Sequence, residues 1–303
     1  MNRELNHKKP GQQNLGLYLG LLTHKNSKFP KAPFVDLFEK ASNLGSLMNI
    51  NASYSISEDN LFSSKDVGLI DLLLVRFFEL RLYKEWSSYV ANEKIRKLRK
   101  NDLRVLTSCF LYYYRLLQPR FRMKEKVRYS RILNINAGYK SLLQDFLKSR
   151  AQVGLIFEDD ASFETTTELI RVIFELGIFA QSIKSVAYFI DLSDSFTFDE
   201  LGVQNLVIQP KSPGRIFLGS QMLATTKPFT NCTCAVLYSR YMAEVLCSAL
   251  ENYASIRGKR LIPMDWSFNQ FLLECVNSNL RIECFHFHPG LFPQQSLIVT
   301  QAK

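Results

Sequence analysis

No Cys-x-x-Cys pair occurs in this chain, no apolar run reaches membrane-spanning length, and no stretch has the composition of a disordered segment. Each absence excludes something. The six cysteines are scattered, and Cys232-x-Cys234 has the alternation of one strand face rather than the spacing of a zinc knuckle. Buried free thiols in a reducing compartment are therefore expected. Residues 1–13 are polar, without the apolar stretch and small-residue cleavage site of a secretory signal, so the expected location is cytoplasmic. The glycosylation sequons at Asn51-Ala-Ser53 and Asn231-Cys-Thr233 then read as chance matches. Residues 67–89 are helical in pattern and unusually apolar, yet Asp71, Arg76 and Glu79 interrupt them well short of a bilayer span.

What is present is apolar mass and an uneven charge. With 47% hydrophobic residues among 303, the chain can bury one large α/β core with an insertion, or two domains. Its net charge of +10 is concentrated: residues 76–131 hold 16 Lys or Arg against 5 Asp or Glu, so the remainder is close to neutral. Aromatics stand beside these cations, as in Cys109-Phe-Leu-Tyr-Tyr-Tyr-Arg-Leu-Leu117 and Pro119-Arg-Phe-Arg-Met-Lys-Glu-Lys126. Such a helical region suits a peripheral position on an anionic membrane, with Tyr at the interface and Lys or Arg toward the headgroups. An ordinary solvated helical hairpin accounts for the same residues. Nucleic acid, whose bases could stack on the tyrosines, is not the expected partner.

Either side of the basic region the pattern alternates between strand and helix. Residues 15–22 read as a first strand, with Gly16 and Gly20 permitting close approach, then a helix at 34–44 and a strand at 47–56. Further strands are expected at 153–157, 185–192, 203–209, 215–224, 233–238 and 281–288, and helices at 132–148, 164–178 and 240–253. The fold class is α/β, Rossmann-like, with a mixed, mostly parallel central sheet flanked by helices. The expected units are 1–64 as the first part of the α/β domain, 65–131 as a basic helical insertion, and 132–303 as the remainder. In a nucleotide-binding fold the loop after the first strand lies near the nucleotide, making Thr23, His24 and Lys25 candidates for donor binding.

The most informative stretch is Val153-Gly-Leu-Ile-Phe-Glu-Asp-Asp-Ala-Ser-Phe163, a buried-strand pattern that stops at three carboxylates. Ligands bind at the carboxyl ends of strands in open α/β sheets, and adjacent carboxylates repel unless a cation or a proton relieves them. Hard oxygen ligands suit Mg²⁺ or Mn²⁺, which take one or two carboxylates and complete their shell with water and phosphate. Glu158 and Asp160 are thus candidate metal ligands and Asp159 a donor-side residue. Arg128 and Arg131 could reach a diphosphate as bidentate partners. The competing reading is a helix start, with Asp160 or Ser162 as N-cap and Glu164 and Glu168 at the positive helix end.

Leu-Ile-Phe-Glu-Asp-Asp-Ala-Ser-Phe163 resembles the hallmark of glycosyltransferase family 25, the lipopolysaccharide and collagen-type sugar transferases of GT-A fold. Three later stretches follow in the family's order: Cys234-Ala-Val-Leu-Tyr-Ser-Arg-Tyr-Met-Ala-Glu-Val-Leu246, Ile262-Pro-Met-Asp-Trp-Ser-Phe268, and Pro289 with Gln294 and Gln295. The resemblance covers roughly residues 128–296. Upstream the chain departs from the family: Leu21-Leu-Thr-His-Lys25 stands where an Asn-Leu-Asp-Arg-Arg-like turn is usual, and Asn134-Ile-Asn-Ala-Gly-Tyr-Lys140 where a Ser-His and a Trp are usual.

What the resemblance implies is a metal-dependent, inverting glycosyltransferase using Mn²⁺ or Mg²⁺. Its donor would be a nucleotide-sugar, a UDP-sugar first, and its acceptor a saccharide or glycolipid, placing the protein on the inner face of a membrane. Asp265, in the family's Pro-x-Asp-Trp position, would be the catalytic base on the acceptor side, and Trp266 and Gln294 would meet the acceptor. In many GT-A enzymes a carboxy-terminal His completes the metal shell, which nominates His286 and His288. Two alternatives remain open: a metal-dependent phosphodiesterase binding nucleic acid through its basic segment, and a catalytically inactive, transferase-like scaffold.

Overall fold

A computed structural model describes residues 16–24, 27–48, 50–58, 61–90, 101–183, 185, 187–208 and 216–295, with only the backbone described at 101–106 and 216. Among them an eight-stranded sheet forms the centre. Strand β1 (Gly16–Leu22) is buried along its whole length and pairs in parallel with β2 (Asn51–Ser57) on one side and β3 (Val153–Glu158) on the other. Only glycine fits at its start: a Cβ on Gly16 would lie 2.8 Å from Ala151 Cα. Helix α1 (Ala32–Leu47) crosses from β1 to β2 with Pro33 in its first turn, where the missing N–H has no partner to lose.

The sheet continues past β3 with β8 (Ala235–Ser239), β4 (Tyr188–Asp191) and β9 (Glu283–His288), and closes with β7 (Ser220–Ala224) and β6 (Ile216–Phe217). Only β8 and β7 run against the others. The sheet is thus mixed, and the carboxyl ends of β1, β2, β3, β4 and β9 share one edge. Two short strands, β5 (Ser193–Asp194) and β10 (Phe292–Pro293), pair in parallel as a separate ladder.

Alternation along β3 divides the core. Val153, Leu155 and Phe157 face one cluster with Phe34, Phe38 and Phe174, whereas Ile156 faces another with Tyr139, Phe146 and Phe268. Helix α5 (Thr167–Ser182) packs on the first side. Helices α4 (Pro119–Lys148), α6 (Arg240–Ser255) and α7 (Met264–Asn277) pack on the second. A third cluster joins α2 (Leu69–Val90) and the inner face of α4 to Leu261, Ile262 and Leu273, and α3 (Asn101–Leu116) precedes α4. None of the described helices is long and apolar enough to cross a membrane.

Two local expectations change. The helix expected at 132–148 begins at Pro119 and runs unbroken through residues 131 and 132. Apolar side chains at Leu133, Leu142 and Phe146 mark only its sheet-facing half, which is why its basic first half reads separately in sequence. Within 203–209, Gln204–Leu206 form a 3-10 turn instead of a strand; Gln209 lies outside the described residues. The apolar residues there point into the third cluster, where Val203 and Leu206 are buried.

Candidate functional site

Strand β3 delivers its carboxylates to the shared carboxyl edge because its apolar run ends there, with Glu158 in register beside Leu22 of β1. The chain then turns sharply, Ala161 N–H bonding to Glu158 O at 3.1 Å. The carboxy-terminal segment clamps this turn from outside. Gln295 N–H donates to Asp160 O at 2.8 Å and Ser162 N–H to Pro293 O at 2.7 Å, so Ala161 and Gln294 bridge as an antiparallel pair.

Each carboxylate has a separate donor. The Thr233 hydroxyl, from the segment entering β8, bonds to Glu158 Oε1. Thr23 Oγ1, at the end of β1, donates to Asp159 Oδ2 at 2.7 Å, and Gln294 Nε2 donates to Asp160 Oδ2 at 2.9 Å. Helix α5 does not start at this turn. Its N-cap is Thr166, whose side chain accepts from Leu169 N at 3.0 Å, so neither Asp160 nor Ser162 caps it.

Burial, with crowding of like charges added to it at Glu158, shapes the electrostatics. Burial pushes the Glu158 carboxyl up to about 8, Asp160 adds to this, Asp265 and Asp159 contribute further, and the Thr233 bond opposes it. Asp265 therefore belongs to the same acidic neighbourhood although 107 positions separate it from Glu158 in the chain. It sits in the first turn of α7, following Pro263, with its Oδ1 accepting Trp266 N–H at 2.8 Å. Burial raises its affinity for a proton as well.

The other expected site residues either adjoin the cluster in the chain, as His24 and Trp266 do beside Thr23 and Asp265, or stand away from it. His24 is exposed in the loop after β1, and Lys25 lies outside the described residues. Arg128 and Arg131 are exposed on α4. A Cβ on Gly138 would meet Leu22 Cδ1 at 2.6 Å, so that helix passes the strand ends near Gly138 and carries Arg131 roughly 10 Å beyond them. Arg128 pairs with Glu125 at 3.6 Å. Trp266 is exposed and meets Trp86 edge-on, ring centroids 6.2 Å apart.

The two histidines do not join the triplet. Ile156, Val236, Asp191 and His286 form one row across β3, β8, β4 and β9, and three strand spacings put His286 roughly 14 Å from β3. Its Nε2 bonds to Phe229 O at 2.9 Å, its Nδ1 stands 3.7 Å from Asp191, and its ring stacks on Phe229. Burial lowers its proton affinity. His288 is exposed against Phe198, ring centroids 5.2 Å apart.

Sequence reasoning missed one contributor. Thr233 had no signal beyond lying before a strand. Gln294 was nominated for acceptor contact, whereas its amide is engaged by Asp160 and by Cys232 Sγ at 3.6 Å from its Oε1. Asp191, the acid at the end of β4, is fully buried and holds the 230–231 turn through Thr230 Oγ1 at 2.9 Å and Asn231 N–H at 2.7 Å.

Among the described residues no group of three or more His, Cys, Asp and Glu is placed to hold a metal ion. Glu158 and Asp160 are all-oxygen donors, and burial with the neighbouring carboxylate raises the proton affinity of Glu158, so the pair fits a hard divalent cation. Such an ion takes one or two carboxylates and draws the rest of its shell from water and phosphate. A protein-chelated ion such as structural zinc does not fit. No protein-family model matches this chain, and no curated protein matches it either.

Proposed function

We propose that the chain is a glycosyltransferase of GT-A-like architecture that moves a sugar from a nucleotide-sugar, a UDP-sugar first, to a saccharide acceptor with inversion. The observation that carries this reading is the acidic turn itself. Three carboxylates follow the central strand of a mixed sheet, cap no helix, and are held in place by Thr23, Thr233 and the closing Gln294–Gln295 segment. That is a ligand-binding position in an α/β sheet.

Glu158 and Asp160 would hold Mn²⁺ or Mg²⁺, which when bound supplies charge neutralisation for the leaving diphosphate. Thr23 fixes Asp159 on the donor side through its 2.7 Å bond. Asp265 takes the proton of the acceptor hydroxyl as that oxygen attacks the anomeric carbon. Its raised proton affinity makes it a stronger base than an exposed aspartate, and its bond to Trp266 N–H keeps Oδ1 oriented. The sugar–phosphate bond breaks as the new glycosidic bond forms, and the diphosphate leaves with the bonding pair.

Thermal unfolding with Mn²⁺ and a panel of nucleoside diphosphates tests the reading. A ligand at 100 times its dissociation constant adds about 2.7 kcal/mol, so one nucleotide should raise the unfolding temperature of the wild type but not of Asp160→Ala. No rise with any nucleotide would leave a transferase-like scaffold as the better description.

A further inference from the structure

Charge and apolar surface coincide at one place outside the acidic edge. Helices α3 and α4 form a hairpin joined through Leu117 and Gln118. Residues 107–131 contain seven Lys or Arg and a single carboxylate, Glu125, which is buried beside Arg128. Every exposed charge on this stretch is therefore positive. Between those cations, large apolar side chains stand in solvent: Phe110 is 75% exposed, Leu117 74%, Tyr114 61% and Met123 55%.

These residues recur with helical spacing. Phe110 and Tyr114 share one face of α3, with Leu117 just past its end, and Arg120, Met123, Lys124, Val127 and Arg131 share one face of α4. A cavity of about 390 Å³ opens among α2, α3 and α4, lined by Arg76, Ser108, Leu111, Tyr112, Arg115 and Phe121. Arg115 offers its guanidinium there beside the Ser108 hydroxyl and an apolar wall, a combination that suits a phosphate carried on a hydrocarbon chain, while Arg76 is held by Glu79 at 2.7 Å.

We infer that this hairpin docks the protein on an anionic phospholipid surface, its apolar side chains entering the headgroup region and its cations meeting lipid phosphates. A second copy of the chain is a poor occupant, because a two-fold contact through this face would oppose cation to cation. Nucleic acid fits less well. Leu111, Leu117, Met123 and Val127 gain nothing from phosphates and do not stack on bases, whereas each gains from burial at an acyl boundary. The half of α4 before Gly138 extends past the strand ends, so the docking surface lies toward the carboxyl edge of the sheet, the side that carries Glu158. The inference does not depend on the transferase reading.

The full chain, floated with phosphatidylcholine vesicles or with vesicles mixed with phosphatidylglycerol, provides the test. The protein should rise with the anionic vesicles alone and be released as salt is raised. Replacing Arg115, Arg120 and Lys124 together with Gln should lower partitioning roughly a hundredfold, about fivefold for each cation removed. Phe110→Gln with Leu117→Gln should weaken binding without changing its steepness in salt. All five side chains are exposed, so unchanged far-UV circular dichroism is expected in both variants. Equal binding to neutral vesicles, no binding to anionic ones, or tighter binding of single-stranded RNA than of anionic vesicles would each overturn the inference.

Discussion

The carboxyl edge of the sheet and the α3–α4 hairpin are both regions of like charge, and they treat that charge in opposite ways. At the edge, Glu158, Asp159, Asp160 and Asp265 are drawn together by a strand end, a tight turn and the start of a distant helix, in surroundings that exclude much of the water. Burial, with the repulsion of Asp160 and its neighbours added to it, then lifts Glu158 to about 8. On the hairpin, the cations follow one another along two helices and remain in solvent, where each interacts weakly with the next. Sequence clustering is therefore a poor guide to electrostatic stress. The larger cluster, seven Lys or Arg within 25 residues, is the relaxed one, and the smaller acidic one is stressed because the fold packs it.

That contrast can be broken at several points. The largest effect is expected at Asp191, which lies on the same edge but is fully satisfied. Truncation to Ala leaves Asn231 N–H and Ser193 N–H without their acceptor and Thr230 Oγ1 with Cys232 O as its remaining one, and should destabilise by about 3–5 kcal/mol in urea unfolding. A small loss would mean that this acid is no more structural than its neighbours. Next comes Asp265→Asn, which should keep the fold, raise its stability slightly by removing a buried charge, and reduce sugar transfer by about 10²–10⁴-fold. Retained transfer would remove Asp265 from the chemistry.

Glu158 gives the pH signature. Its folded value, about 8, exceeds its ordinary 4.5, so between those values the folded chain binds more protons than the unfolded one. Stability then falls as pH rises from about 4.5 through 8 and levels off above. Replacing it with Gln should remove that slope and stabilise the metal-free protein at pH 7 by about 2–3 kcal/mol. A destabilised variant would show that the Thr233 bond outweighs the charge stress. The smallest effect belongs to the hairpin: Arg120→Gln with Lys124→Gln should change unfolding free energy by less than about 0.5 kcal/mol, even though it weakens vesicle binding. A larger change would put these cations in the fold rather than on its surface.

Much of the architecture was legible in the residues. Strands with continuous apolar runs emerged within a residue or two, 15–22 against Gly16–Leu22 and 153–157 against Val153–Glu158, because a buried strand leaves no freedom in polarity. The helix at 240–253 emerged as Arg240–Ser255, its N-cap Ser239 standing directly after an apolar strand. The first half of α4 was harder: its exposed face is basic and its buried face is half aromatic, so no clean stripe marks it. The 3-10 turn at Gln204–Leu206 was misread because Leu206, Val207 and Ile208 form a short apolar run with β-branched residues, as a strand does, while Val203 and Leu206 pack into the third cluster.

The residues alone determined the helix and strand content, the acid at the end of a buried strand and the concentration of positive charge between residues 76 and 131. Local physics suffices for these, since hydrophobic period, capping and charge spacing act over a few residues. Only the tertiary structure decided which acids meet. It brought Asp265 toward Glu158, turned Gln294 onto Asp160, set Thr23 on Asp159 and sent His286 three strands away to Asp191 and Phe229. Those pairings span tens to hundreds of positions and depend on strand order in the sheet, which short-range pattern does not encode.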